Sequence, residues 1–106
     1  MIREINPDAL AQAQRQACVL VDVRQPEEYQ AGHVPGALSI PLGVLPARSH
    51  ELPRNEPLYL ICQAGGRSRQ AAEFLDGQGF HVTDVLGGTH AWTASGNPVV
   101  TGPNPG

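Results

Sequence analysis

A chain of 106 residues, 41% hydrophobic and 16% charged, carries enough apolar side chains for one core and has no room for a second. Its formal net charge of -3 sets it against polyanions, so neither nucleic acid nor an anionic membrane surface is expected as a general partner. The start, Met1-Ile2-Arg3-Glu4-Ile5, has charges where a signal peptide needs an apolar centre, and no later apolar run is long enough to span a bilayer. A cytoplasmic setting is the resulting expectation.

Ile2 to Ile5 reads as a short first strand, after which Asn6 as N-cap and Pro7 at the first helical position predict a helix through about Gln14. Cys18 to Val23 is a nearly continuous apolar run, the pattern of a strand covered on both faces in a parallel sheet. Pro26 opens a short helix with Glu27 and Glu28 in its first turn, and Gly32 and Pro35 break it. A third strand is expected at Leu38 to Ile40, then a turn and short helical segment from Pro41, Gly43 and Pro46 toward Leu52. The strand Leu58 to Ile61 follows, then a loop from Cys62 to Ser68, and a helix from Ser68 to Asp76 that stops at Gly77 and Gly79. Val82 to Leu86 is the last strand, and Gly87-Gly88 turns the chain into a short segment whose Trp92 belongs in the core. Strands alternating with helices imply right-handed crossovers and a parallel sheet of the α/β class, with active groups at the carboxyl ends of strands. Residues 1–100 are expected to form one domain, and the ending 101–106, rich in Gly and Pro, to be a loose tail with nothing to pack.

The loop is where chemistry concentrates. Cys62 sits at the end of a strand and before a helix start, facing backbone N–H groups that the first helical turn leaves without partners. A free cysteine with pKa about 8.5 is only a few per cent thiolate at neutral pH, and ionising most of it takes a drop of about two units, roughly 2.7 kcal/mol. The helix dipole supplies roughly 0.3 to 1 kcal/mol of that, so loop amides and Arg67 must supply the remainder. Gly65 and Gly66 are expected to take positive φ and turn successive N–H groups toward one point. Arg67 and Arg69 are the only charged residues between Pro57 and Ala72, so this face can draw a small anion despite the acidic total. Arg69 itself reads as a solvated helix residue pairing with Glu73.

Two cysteines, Cys18 and Cys62, make neither a disulfide framework nor a CxxC pair, and their separation gives no metal-ligand spacing. Cys18, at the start of an apolar strand, is expected to be buried and inert. The four histidines, His33, His50, His81 and His90, are scattered, so no metal site is expected.

Val21-Asp22-Val23-Arg24, Glu28-Tyr29, Gly32-His33-Val34-Pro35-Gly36-Ala37, Ile40-Pro41-Leu42, the Cys62 to Ser68 loop, Gly87-Gly88 and Trp92 together resemble the rhodanese (sulfurtransferase) domain in order and spacing, over nearly the whole chain. The resemblance implies a five-stranded parallel sheet with helices on both faces, whose loop cysteine accepts a sulfane sulfur as a persulfide and passes it on, without a cofactor. It implies a small anionic sulfur donor such as thiosulfate, and cyanide, a thiol or a protein dithiol as acceptor. Cys62 is then the nucleophile, the loop residues Gln63, Ala64, Gly65, Gly66, Arg67 and Ser68 hold the donor, with Arg67 neutralising it and Gln63 and Ser68 adding polar contacts at the rim. Asp22, Arg24 and Glu28 are expected to support the site structurally, Arg24 pairing locally with Glu28, and His33 to fix a turn. The loop is neither strongly basic, as in two-domain thiosulfate enzymes, nor small and neutral, as in mercaptopyruvate enzymes, which leaves thiosulfate, polysulfide and a protein persulfide as donors. A cysteine phosphatase or arsenate reductase needs an arginine six positions after its cysteine, where this chain has Ser68. A non-catalytic interaction module on the same fold is the remaining alternative.

Overall fold

Strands and helices alternate in the computed structural model, which describes residues 1–106: β1 (Arg3–Ile5), α1 (Pro7–Ala13), β2 (Val19–Asp22), α2 (Pro26–Ala31), β3 (Leu38–Ser39), α3 (Leu45–Arg48), β4 (Leu58–Ile61), α4 (Gly66–Gly77), β5 (Val82–Val85) and α5 (Gly88–Ala94). Short 3-10 turns, Leu42–Val44 and Ser49–Glu51, flank α3. The capping chemistry is as the sequence predicts: the Asn6 side chain accepts from the Ala9 amide at 2.8 Å, and Pro7 and Pro26 open their helices. The strands make one sheet in the order β1-β5-β4-β2-β3, every pair parallel.

Both faces of the sheet are covered, which explains the unbroken apolar strands. Side chains alternate across β2 and β4, so Val21, Leu58 and Leu60 pack with Ala71, Ala72 and Leu75 of α4 on one face. Leu20 and Ile61 pack with Leu10 of α1, Tyr29 of α2 and Trp92 of α5 on the other. The carboxyl ends of β2 and β4 lie side by side, Asp22 paired with Ile61, so the residues that follow them, Arg24 and Cys62, reach the same edge. No helix is long and apolar enough to cross a membrane.

The chain end departs from expectation. Gly36 donates its amide to Pro105 O at 2.9 Å and Gly102 donates to Gln30 O at 2.8 Å, so residues 101–106 lie along α2 and the turn after it. The physical reason is His33: fully buried, stacked on the Tyr29 ring at 3.6 Å and donating Nδ1–H to Tyr29 O at 2.7 Å, it exchanges both backbone hydrogen bonds with Val100. It fixes a turn, as expected, and anchors the terminal strap as well. Trp92 donates Nε1–H to Pro98 O at 2.7 Å within the same strap.

Removing residues 96–106 is therefore expected to uncover Trp92 and His33. The emission of the single tryptophan should shift to the red and the thermal midpoint should fall; a truncated protein with unchanged emission and melting would contradict this account of the strap.

Candidate functional site

Two helix starts converge on the loop that follows β4. At the front of α5, Thr89 N donates to Cys62 O at 2.8 Å, Thr89 Oγ1 donates to the same oxygen at 3.1 Å, and His90 N donates to Gln63 O at 3.0 Å. A trans peptide points its C=O and its N–H in opposite directions, so the Gln63 carbonyl drawn toward α5 leaves the Ala64 amide facing the other way, toward the sulfur. Gly65 N donates to Cys62 Sγ at 3.0 Å, and the amides of Ala64 and Ser68 also act on the sulfur. The Ser68 hydroxyl lies 3.4 Å from Sγ and donates to Gly65 O at 3.2 Å.

Cys62 is 1% exposed. Burial pushes its thiol up, and the hydrogen bonds from the Ser68 hydroxyl and from the amides of Ser68, Gly65 and Ala64 outweigh burial and hold it below the ordinary thiol value. Only Gly65 takes positive φ, at 125°; Gly66 is already the first residue of α4, so the expected pair of left-handed glycines is one. Gly88 matters in a different way. Its φ is 61°, and a Cβ there would stand 2.7 Å from Gln63 C, so no side chain fits between α5 and the loop.

Behind the loop, Asp22 and Arg24 form a buried ion pair with side-chain exposures of 0% and 4%. Arg24 donates Nη2–H to Asp22 Oδ2 at 2.8 Å and to Gly32 O at 2.8 Å, and Nη1–H to Gln63 Oε1 at 3.0 Å. One guanidinium thus ties together the end of β2, the end of α2 and the second loop residue. Glu28 is not its partner. The expected local pair of Arg24 with Glu28 is replaced by two others, because an in-plane fork at the β2 terminus meets Asp22 first.

Glu28 instead grips the loop. Arg67 donates Nη1–H to Glu28 Oε1 at 2.6 Å and Nη2–H to Oε2 at 2.9 Å, a bidentate pair across 39 residues. Arg67 beside it holds the Glu28 carboxyl at about 2, against a burial cost, with the Gln25 amide contributing further. A carboxyl lowered on folding stabilises the fold above its ordinary range and loses that contribution as pH falls through about 2. The guanidinium read as a free donor clamp is thus already neutralised. Ser68 is fully buried behind the sulfur and not at the rim, whereas Gln63 and Ala64 are exposed there. Arg69 pairs with Glu4 at 3.3 Å and Glu73 at 3.6 Å on the outer face of α4.

Cys18 is half-buried just before β2, on a different side of the molecule from the loop, and burial raises its pKa; it is less enclosed than expected. Sequence reasoning missed Thr89 and His90, whose amides orient the loop from 27 residues away. The only local signal was Gly87-Gly88, legible as a turn and silent about its neighbour.

Gly88→Ala should therefore displace the loop without unfolding the sheet. Alkylation of Cys62 at neutral pH is expected to slow by about ten-fold or more, since amides turned away by even a fraction of an ångström no longer stabilise the anion. A variant alkylated as fast as the parent would refute the role given to α5.

Comparison with known proteins agrees with this geometry. The family model described as Rhodanese-like domain matches residues 6–95. A protein of Allochromatium vinosum named Sulfurtransferase is 37% identical over 103 residues, covering 94% of this chain and 96% of its own. A rhodanese-related protein from Thermoplasma volcanium has the same fold, with TM-score 0.87 at 36% identity over 92% of this chain and 97% of that one. The chain also matches 20% of a thiosulfate sulfurtransferase from Pseudomonas aeruginosa, with TM-score 0.87 at 27% identity over 96% of its own length. With five parallel strands, a cysteine cradled by amides at the end of β4, and a family model covering residues 6–95, this chain belongs to the rhodanese-like domain family.

Proposed function

We propose that this protein is a sulfurtransferase that carries a sulfane sulfur as a persulfide on Cys62. The observation that carries the reading is the sulfur held among inward-facing amides, with Gly65 N at 3.0 Å and the thiol lowered despite burial. Such a cradle stabilises a thiolate before reaction and a persulfide anion after it, which is what a two-step sulfur relay requires. The thiolate attacks the outer sulfur of the donor; a new S–S bond forms to Cys62, the donor's own S–S bond breaks, and its electron pair leaves on sulfite or on a thiolate. An acceptor thiolate or cyanide then attacks the outer sulfur and Cys62 leaves as thiolate.

The charge balance at the mouth favours persulfide donors over thiosulfate. Arg24 is matched by Asp22 and Arg67 by Glu28, so a dianion meets no uncompensated cation close to the sulfur. Beside the loop, an open groove of about 400 Å³ whose lining includes Arg24, Gln63, Thr89 and Val99 gives an acceptor a place to lie. A phosphatase reading fits poorly, since both terminal nitrogens of the loop arginine are committed to Glu28.

Incubation with glutathione persulfide should add the mass of one sulfur, and Cys62→Ser should not gain it. Addition persisting in that variant would assign the reaction to Cys18 and end the proposal. Glu28→Gln releases the Arg67 charge, so kcat/KM for thiosulfate is expected to rise several-fold at low ionic strength and the gain to fade with salt, as an exposed charge is screened within about 10 Å at 0.1 M. A loss of thiosulfate activity on this substitution would mean that the pair positions Arg67 for the donor and does not mask it.

A further inference from the structure

The terminal strap borders the groove beside the sulfur loop, and the relay described above gives it no part. Its Val99 is fixed from both sides by hydrogen bonds to the strap backbone. Trp92 donates Nε1–H to Pro98 O at 2.7 Å just before it, and Val100 exchanges both backbone hydrogen bonds with His33, at 2.9 Å each, just after it. The side chain lies over the end of α2, where Val99 Cγ2 stands 3.4 Å from the place a Cβ on Gly32 would take. Yet Val99 is 38% exposed, an apolar wall left open on the groove. Glu28, in the same lining, grips Arg67 of the sulfur loop, so the groove runs from that loop to the strap.

We propose that Val99 is a specificity-determining residue for the sulfur acceptor, forming with Gln63 and Thr93 a seat for a cysteine borne on an uncharged polypeptide segment. Both ionic side chains in the lining are already matched, Arg24 by Asp22 and Glu28 by Arg67, so a charged body gains nothing there. The groups that remain suit an amide. Gln63 gives its Oε1 to Arg24 Nη1 at 3.0 Å and keeps its NH2 free to donate to a peptide C=O. Thr93 Oγ1 donates to His90 O at 3.0 Å and keeps lone pairs free to accept from a peptide N–H. Val99 adds an apolar surface that the carbons of such a segment can cover.

The seat acts on the second half of the relay. The segment's thiolate bonds to the outer sulfur of the Cys62 persulfide, the Cys62 S–S bond breaks, and its electron pair returns to Cys62. Holding the body of the acceptor in the groove makes that encounter effectively intramolecular, whereas cyanide and mercaptoethanol have no peptide body to hold. Neither Val99 nor Thr93 donates to the sulfur, so the strap selects among acceptors and leaves the amide cradle as it is.

The inference rests on the persulfide reading of Cys62, and one arm of its test does not. In a Cys18→Ser background, Cys62 is loaded with inorganic polysulfide, freed of excess, and discharged by a blocked glycyl-cysteinyl-glycine peptide, by mercaptoethanol or by cyanide, with the loss of one sulfur followed by mass. Thr93→Trp, which fills the groove, should lower the peptide-to-cyanide ratio of discharge rates by about ten-fold. Val99→Ser, which removes the apolar wall and keeps the backbone bonds of the strap, should lower it by about three-fold, with the mercaptoethanol-to-cyanide ratio unmoved in both variants. Melting confirms the fold of each. The second arm titrates the seryl analogue of the peptide into the unloaded protein and reads backbone amide resonances, which should move at Gln63, Thr93 and Val99. A peptide-to-cyanide ratio unchanged in both folded variants, or resonances of those three amides that stay in place, overturns the proposal. A Cys62 that takes up no sulfur while those resonances move sinks the relay and supports the peptide seat.

Discussion

Everything chemical in this molecule depends on carbonyls of the Cys62 loop being pulled outward by the first amides of α5. Thr89 N and His90 N take Cys62 O and Gln63 O, and the Ala64 N–H, at the opposite end of the Gln63 carbonyl's peptide, is thereby directed at the sulfur. The α5 start can do this only because Gly87 and Gly88 adopt φ of 75° and 61°, which let its backbone come within contact distance of the loop. Without the hydrogen bonds that the loop and α4 amides donate, burial alone would leave the thiol protonated.

A second constraint keeps that arrangement in register. Asp22, Arg24 and Gln63 link the end of β2 to the loop, and Glu28 with Arg67 links α2 to the start of α4. The first pair is almost wholly enclosed, so its worth lies in geometry more than in net stability, and losing one partner would strand a buried charge at a cost of about 3–5 kcal/mol. The second is about one-third exposed and energetically slight, yet it decides the charge that a donor meets. One loop is thus braced from two sides by ion pairs that share no residue.

Much of the fold was legible because its causes are local. Asn6-Pro7 and Gln25-Pro26 open helices through capping and a preset φ, and the apolar runs at Leu58 to Ile61 and around Val21 report burial on both faces. Cys62 could be singled out for the same reason, since a strand end, a glycine and a helix start are adjacent in the chain. The terminal strap was not legible: Gly102 and Pro105 pair with Gln30 and Gly36 through backbone groups, which every residue possesses and no composition reveals. Nor was the exchange of partners between Arg24, Glu28 and Arg67, where spacing along the chain suggested one pairing and the meeting of three elements produced another.

The order of residues by itself determined an α/β domain, the strand that delivers Cys62, and the presence of amides beside it, because propensity, capping and periodicity act over a few residues. Tertiary structure alone decided which way those amides face and that Arg67 is neutralised by Glu28. Those outcomes are set by groups 27 to 39 residues apart, from Cys62 to Thr89 and from Glu28 to Arg67, brought together only when parallel strands close into one sheet.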